Sequence, residues 1–273
     1  MTVTNRHPDL TATLAEGISH LASTEEWRRY LSFQSRFHRY SFGNVLLIAA
    51  QCPGATRVAG FSTWRKMGRP VRKGEKAIWI LAPMIARGAG SDPGAEPEGR
   101  VVRGFKFVPV FDLAQTDGDA IPSACNRLTG DDAAGHYATL LSVAHSLGFA
   151  VEDHRFCGST NGDCSHAGHR IRIEAANAPA QRVKTLAHEI THALLHGHPE
   201  SRARAELEAE SSAYVVCRAL GIDSGDYSFG YVTAWAGGRD EALAGIRASG
   251  ERIQRASATI LSAFEPRVAA EAA

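Results

Sequence analysis

The chain lacks the long hydrophobic runs of a membrane protein and the cysteine pattern of a secreted one. Its longest apolar runs, residues 45–50 and 77–86, fall well short of the ~20 residues that a membrane-spanning helix needs. Residues 1–10 are polar and have no apolar core, which argues against a secretory signal. The five cysteines are scattered and odd in number, so they do not indicate a disulfide framework. We therefore expect a cytoplasmic protein with no membrane partner.

The composition excludes a disordered or fibrous chain, and the charge distribution indicates two parts. Apolar residues make up 44% and charged residues 22% of the 273 residues, as in ordinary globular proteins, and the length suits two domains. Residues 1–111 contain 16 basic and 8 acidic side chains, whereas residues 112–273 contain 14 and 21. The basic part is a candidate for binding a polyanion, and the alternative is a solvated basic surface without a ligand.

Hydrophobic periodicity and turn residues predict an α+β fold. Ser23 and Glu26 have capping-box spacing, and the helix that follows places Trp27 and Tyr30 on an apolar stripe, which favours core positions for both. An exposed loop is predicted at 86–100 and an interdomain linker at 113–135. Helices are predicted at 24–39, 45–51, 61–67, 136–147, 178–196, 204–220 and 241–264, and strands at 69–84, 101–111 and 170–174. The predicted domains are 1–112 and 136–273, joined by the linker.

The most specific motif is the sequence His188-Glu189-Ile190-Thr191-His192 within a predicted helix. Residues four apart share a helix face, so both imidazoles can bind one cation. Glu189 can act as general base toward a metal-bound water. The alternative is two histidines with structural hydrogen bonds and no metal.

A zinc site needs a third protein ligand, and the next helix offers Glu206, Glu208 and Glu210. Glu206 and Glu210 share a face that is expected to turn inward, whereas Glu208 lies about 160° away and is expected to face solvent. A buried carboxylate must be paired or bind metal, so Glu206 or Glu210 is the candidate. Glu206 is preferred, with Glu210 orienting a histidine, and an entirely solvated acidic patch is the alternative.

Further candidates depend on less specific patterns. Tyr214, His196 and Tyr227 are candidate donors to a transition state, chosen without a geometric test. A second cluster could bind zinc as a Cys₂His₂ site, although it lacks the closely spaced cysteine pair of structural zinc modules. Its members are Cys157, Cys164, His166 and His169.

With these residues located, the chain resembles the ArdC family of antirestriction proteins over nearly its whole length. In the first part the matching residues are Tyr40-Ser41, Asn44, 46–48, Gln51, 53–56, Trp64, Gly68-Arg69, Val71, 73–76, 80–83, Phe111-Asp112 and 115–118. In the second part they are 188–192, 206–210, Tyr214, 220–223, Tyr227-Ser228, Tyr231-Val232 and Trp235. The second part is similar to a zincin-like metallopeptidase domain related to the ImmA/IrrE peptidases.

The resemblance implies that the basic part binds single-stranded DNA without strong sequence preference and that the second part holds a gluzincin-type zinc site. Single-strand binding needs basic side chains for the backbone and aromatic faces for the bases. Candidate DNA-contacting residues are Arg36, Arg39, Tyr40, Trp64, Arg65, Arg69, Arg72, Lys73 and Lys76, with Lys66, Phe37 and Phe61 as further possibilities. The protein would shield incoming single-stranded DNA or cut a protein met on that DNA.

These observations predict a single-stranded-DNA-binding antirestriction-type protein that is also a zinc metallopeptidase. One Zn²⁺ per chain is held by His188, His192 and Glu206, Glu189 is the general base, and the protein substrate is unidentified. The first alternative is a non-enzymatic module that protects single-stranded DNA and holds a structural zinc. The second is a peptidase whose basic part contacts an acidic protein.

Overall fold

The computed structural model describes residues 9–87, 100–119, 133–199, 201–222 and 239–265. The predicted α+β class is confirmed. The helices are α1 (Leu10–His20), α2 (Thr24–Gln34), α3 (Phe42–Gln51), α4 (Phe61–Lys66), α5 (Ala133–Ser146), α6 (Pro179–Leu195), α7 (Arg202–Ala219) and α8 (Arg239–Ser262). The strands are β1 (Val58–Ala59), β2 (Ile78–Arg87), β3 (Arg100–Asp112), β4 (Ala150–His154), β5 (Gly162–Ser165) and β6 (Arg170–Glu174).

The chain divides into two compact units by its internal contacts. The first comprises Met1–Gly17 and Gly43–Ala120, and the second comprises Ile18–Phe42 and Ile121–Ala273. Among the described residues, each unit contains one three-stranded sheet, with the strand order β1-β3-β2 in the first and β4-β6-β5 in the second. Within the described residues, no helix is long and apolar enough to cross a membrane.

A long antiparallel hairpin forms the centre of the first unit. β2 pairs with β3 from Ile78 opposite Val110 to Arg87 opposite Arg100, with an irregularity in register after Met84. Alternate residues of a strand point to opposite faces, and the side chains of Ile78 and Val110 are buried on one of them.

The side-chain amides of α3 close the outer edge of β2. Asn44 donates to the Leu81 carbonyl (2.8 Å) and accepts from the Leu81 amide (2.9 Å). Gln51 does the same with Trp79, at 2.8 and 2.9 Å. These amides satisfy strand groups that would otherwise form an open sheet edge, which explains structurally why Asn and Gln stand at these helix positions.

The segment after β3 remains part of the first unit, so the predicted linker 113–135 is too long. Buried Arg69 donates to Thr116 Oγ1 (2.9 Å) and to the Gly118 carbonyl (2.6 Å), and Val71 forms a bridge with Thr116. At its other end α5 already begins at Ala133. Residues 120–132 lie outside the described part of the chain.

The second unit surrounds α7 with other elements. β4 and β6 are parallel, β5 is antiparallel to β6, and α7 packs on α6, α8 and α2. The segment 18–42 was assigned to the first domain from sequence order, but it packs in the second unit. Trp27 Nε1 donates to Ser211 Oγ (3.0 Å), and Gln34 Nε2 donates to Ser257 Oγ (3.3 Å).

Several element boundaries differ from the predicted ones. α2 ends at Gln34 and not at 39, because the amide of Ser35 donates to the carbonyls of Leu31 and Phe33 and the residues that follow form turns. β2 begins at Ile78 and not at 69, since residues 69–77 form turns with one bridge. The short elements α1, β1, β4 and β5 had not been predicted. Trp27 and Tyr30 are buried, as predicted.

Candidate metal centre

Helix α6 presents His188 and His192 on one face. Pro179 at the start of α6 has no amide hydrogen that would need a partner. Leu186 and Ile190, on the opposite face of the helix, are fully buried. The two imidazoles lie one turn apart, and their Nε2 atoms are 3.1 Å from each other. Both Nε2 atoms therefore face one point between the rings.

Helix α7 brings the carboxylate of Glu206 to the same point. Its Oε2 lies 3.3 Å from His188 Nε2 and 3.7 Å from His192 Nε2. Tetrahedral zinc with bonds of about 2.0–2.1 Å would hold its ligand atoms roughly 3.4 Å apart, close to these distances. Among the described residues, His188, His192 and Glu206 are the one group of three such ligands found together.

Glu210 lies on the far side of His188 from this point. Its Oε2 is 3.3 Å from His188 Nδ1, and its Oε1 is 3.0 Å from Lys184 Nζ. Burial opposes the charge of this carboxylate, but the hydrogen bond with His188 and the charge of Lys184 lower the pKa of Glu210. The arrangement leaves His188 Nε2 directed toward Glu206.

The charges in the centre are strongly coupled. Burial disfavours protonation of His188, but its hydrogen bonds with Glu206 and Glu210 outweigh that effect and raise the pKa of His188 to about 9. Hydrogen bonds with His188 and His192 hold the pKa of Glu206 far below its usual range. Two imidazole nitrogens and the carboxylate of Glu206 are thus directed at one position, a donor set that suits a divalent cation.

Glu189 points into the protein beside β5. Its side chain is buried, and burial together with the charges of Glu206 and Asp163 raises the pKa of Glu189 to about 7. A Cβ atom added to Gly162 of β5 would lie 3.0 Å from Glu189 Oε1 and 2.6 Å from Thr185 Cγ2. Glycine at this position therefore leaves room for the carboxylate against the strand.

The expectation that Glu208 faces solvent is wrong. Its side chain is fully buried and accepts hydrogen bonds from Ser249 Oγ (2.7 Å) and Arg252 Nε (2.8 Å), and it pairs with His196 Nε2 at 3.0 Å. Helical periodicity failed because α7 is covered on more than one side, by α6 and by α8. The carboxylate directed away from the metal position is buried against α8.

The three residues predicted as candidate donors to a transition state differ in their surroundings. His196 is buried with both ring nitrogens within hydrogen-bond distance of His192 and Glu208, so its nitrogens are not free to contact a transition state. Tyr214 is half-buried and lies one turn beyond Glu210 on α7. Tyr227 lies outside the described residues.

The second cysteine–histidine cluster does not assemble into a metal site. Its residues are all described, yet their ligand atoms form no group. Burial and the nearby charge of Glu189 raise the pKa of the Cys164 thiol to about 12, which disfavours the thiolate that binds zinc. His166 Nε2 instead lies 3.0 Å from the His192 carbonyl.

Two of the predicted DNA-contacting residues of the first unit are structural. Trp64 is fully buried and donates from Nε1 to the Phe111 carbonyl (2.8 Å), and Arg69 is buried in the hydrogen bonds described above. Neither can contact a strand of DNA from these positions. Arg72 binds Glu75 and the Ala114 carbonyl, whereas Arg65, Lys73 and Lys76 are exposed.

The other three predicted DNA-contacting residues belong to the second unit. Arg39 is paired with Glu265, Tyr40 is half-buried, and Arg36 is exposed and stacks over Phe33. Phe37 is buried in the same cluster, in a stacked pair with Phe33.

Sequence reasoning missed an exposed aromatic pair on β3. Phe105 and Phe107 are 64% and 45% exposed, on the same face of the strand. The basic side chains of Arg103 and Lys106 are exposed on the same strand. The signal in the sequence is the alternation of aromatic and basic residues from 103 to 107, within the predicted strand 101–111.

Fold and site together define a two-domain α+β protein with a metallopeptidase-like second domain. Residues 8–111 match the family model for the N-terminal domain of anti-restriction factor ArdC. Residues 144–217 match the model for the IrrE N-terminal-like domain of the M78 peptidases. The chain belongs to an ArdC-like family.

Two crystal structures share this fold, and one further protein is similar in sequence. The Mn(II)-bound crystal structure of the antirestriction ArdC protein from the R388 plasmid superposes with a TM-score of 0.55 at 20% identity, covering 94% of this chain and 98% of that one. Its metal-free structure gives 0.50, covering 82% and 85%. An uncharacterized Bacillus anthracis protein is 26% identical over 258 residues, which is 78% of this chain and 43% of that protein. This chain therefore spans less than half of that relative.

Proposed function

We propose that the second unit is a zinc-dependent metallopeptidase. The observation that carries the proposal is the convergence of His188 Nε2, His192 Nε2 and Glu206 Oε2 at 3.1–3.7 Å from one another. The donor set fits zinc, because two imidazoles and one carboxylate are typical of its catalytic sites and leave a position open. When bound, zinc would act as a Lewis acid that activates water and polarises a peptide carbonyl.

Glu189 moves the proton in this mechanism. Its carboxylate, with a pKa raised to about 7, accepts a proton from the attacking water and delivers it to the leaving amine. Glu210 keeps His188 oriented through Nδ1. A structural zinc site would not need a buried carboxylate of this pKa beside its ligands, which favours the enzyme over the non-enzymatic alternative.

Strand β5 is the candidate binding edge for an extended peptide. Within the described sheet it pairs with β6 on one side only, and Gly162 brings its backbone against Glu189. An extended substrate can add to such an edge as a further strand, with its scissile bond directed at the metal position.

Metal content tests the proposed centre. We expect one zinc per purified chain, lost or strongly weakened in Glu206→Ala and retained in Glu251→Gln, an exposed glutamate of α8 that pairs with Arg247. Elemental analysis after dialysis against a defined zinc buffer measures the content. A folded wild type that takes up no zinc, or a Glu206→Ala variant that holds it unchanged, would refute the ligand set.

We also propose that the first unit binds single-stranded DNA through the exposed residues 103–107 of β3, whose side chains alternate between the two faces of the strand. Phe105 and Phe107 offer exposed rings for stacking, and Arg103 and Lys106 offer charge for phosphates. Segments 43–87 and 100–111 together contain eleven basic residues and one acidic residue, Glu75. This excess of positive charge favours a polyanion as the partner.

Binding of an oligonucleotide tests this part of β3. Base stacking contributes about 1–3 kcal/mol per base, so Phe105→Ala and Phe107→Ala should each weaken affinity for a fluorescent single strand about 5- to 150-fold. The matched comparison is Phe61→Ala, which removes a ring that is 53% exposed on α4 and that the sequence also offers for stacking; an interface on β3 requires it to weaken affinity less than either β3 variant. Equal affinity of the wild type and both β3 variants would place the interface elsewhere.

We propose that both activities serve antirestriction, and the match of residues 8–111 to the N-terminal domain of anti-restriction factor ArdC supports this. In this setting the first unit shields incoming single-stranded DNA, and the second cuts a protein bound to that DNA, in the cytoplasm. The fold of this chain resembles the crystal structures of the antirestriction ArdC protein from the R388 plasmid.

A further inference from the structure

The ring of His196 bridges a candidate metal ligand and a buried carboxylate. His196 Nδ1 lies 2.9 Å from His192 Nδ1, and His196 Nε2 lies 3.0 Å from Glu208 Oε2. The side chain of His196 is 3% exposed and that of Glu208 is fully buried. The bridge is therefore sealed from water, and its hydrogen bonds must be satisfied within the protein.

The carboxylate of Glu208 is fixed from α8. Ser249 donates to Oε1 (2.7 Å) and Arg252 donates from Nε to Oε2 (2.8 Å), while Arg252 also donates to the Leu195 carbonyl at the end of α6 (3.0 Å). A carboxylate paired with a guanidinium is an acceptor only. The third group in contact with it, His196 Nε2, must therefore donate.

For a neutral His196, this requirement determines the tautomer of both histidines. A neutral imidazole that donates from Nε2 has its lone pair on Nδ1, so His196 accepts from His192. His192 then carries its hydrogen on Nδ1, and its Nε2 lone pair faces His188 and Glu206. That is the lone pair a metal ion requires.

We propose that His196 and Glu208 are positioning residues that hold His192 in its metal-binding tautomer and ring orientation. The inference rests on the proposed metal centre. The two candidate histidine ligands have different hydrogen-bond partners. His188 contacts the carboxylate of Glu210 directly, whereas His192 contacts His196, which in turn contacts a carboxylate. His196 thus acts on the ligand and not on the reacting peptide.

Zinc affinity gives the first readout. Loss of a hydrogen-bond partner of a metal ligand costs about 10- to 100-fold in affinity, so we expect His196→Ala to weaken Zn²⁺ binding by that factor in a chelator competition assay. His196→Asn should recover part of the loss, because its amide oxygen stands near the Nδ1 position and can accept from His192. The matched control is His198→Ala, an exposed histidine two residues further on, which should bind zinc as the wild type does.

The tautomers give a second readout, in metal-free protein. Two-dimensional ¹H–¹⁵N spectra of the imidazoles should show hydrogen on Nδ1 of His192 and on Nε2 of His196, and His196→Ala should release His192 to a mixture of tautomers. Hydrogen on Nε2 of His192 in the wild type, or equal zinc affinity of His196→Ala and His198→Ala, would overturn the inference. A wild type that binds no zinc would instead refute the proposed function, and the spectra would still decide the positioning role.

Discussion

The burial of the Glu189 side chain determines its acid–base chemistry. The carboxylate adjoins His188 in sequence, yet it is turned against β5, and its pKa is raised to about 7. A base with this pKa holds and releases a proton near neutral pH, as a residue that both accepts and returns a proton must. We expect Glu189→Gln to keep zinc and single-stranded DNA affinity while cleaving any peptide that the wild type cuts at least ~10²-fold more slowly.

Cleavage products of a random peptide mixture, identified by mass spectrometry, provide the measurement. Glu251→Gln serves as the control, since it removes an exposed carboxylate of α8. Cleavage by Glu189→Gln at the wild-type rate would mean that another group is the base. Loss of zinc together with activity would assign Glu189 to the metal ligands.

Residue spacing predicted the candidate centre better than its surroundings. The four-residue spacing of His188 and His192 depends only on helix geometry, and the structure brings both to Glu206. The environment of Glu208 could not be deduced in the same way, because exposure depends on which elements cover a helix. Ser249 and Arg252, which bind Glu208, come from α8 and lie more than forty positions along the chain.

At the scale of elements, periodic segments were predictable and short ones were not. The strand 170–174 was predicted with the bounds of β6, and α6 differs from its predicted range by one residue at each end. β4 and β5 are five and four residues long, and β4 alternates poorly between buried and exposed positions. The position of α2 in the second unit depends on contacts with α7 across more than 180 residues, such as Trp27 with Ser211.

The packing of α8 makes an unusual prediction for Gly250. Alanine in a helix interior is normally about 1 kcal/mol better than glycine. A Cβ atom at Gly250 would lie 2.2 Å from Cε2 of Phe42, which is itself buried. Overpacking costs about 1–3 kcal/mol, so Gly250→Ala should lower the urea midpoint of the metal-free chain.

The ring of Phe42 supplies the control for that experiment. In a Phe42→Ala background the clash is absent, and Gly250→Ala should then raise the midpoint relative to Phe42→Ala alone. A midpoint raised by Gly250→Ala in the wild-type background would show that α8 and Phe42 can separate without cost.

At the scale of the whole molecule, the basic character of the first 111 residues is shared between the two units. Arg36 and Arg39 belong to the second unit with Arg28 and Arg29, and Arg39 is paired with Glu265. The exposed cations of the first unit, such as Lys73 and Lys106, remain as candidates for the proposed DNA interface. Sequence order grouped all of them because it contains no information on which residues pack together.

The salt dependence of DNA binding separates the two sets of cations. For single strands the logarithm of the binding constant falls with the logarithm of salt concentration at about 0.7 per phosphate neutralised. Lys106→Ala and Lys73→Ala should therefore each flatten the slope by about 0.7, whereas Arg39→Ala should leave it unchanged. Fluorescence titrations at several salt concentrations measure the slopes. A flatter slope for Arg39→Ala alone would move the DNA path to the second unit, and a slope near zero for the wild type would exclude phosphate contacts altogether.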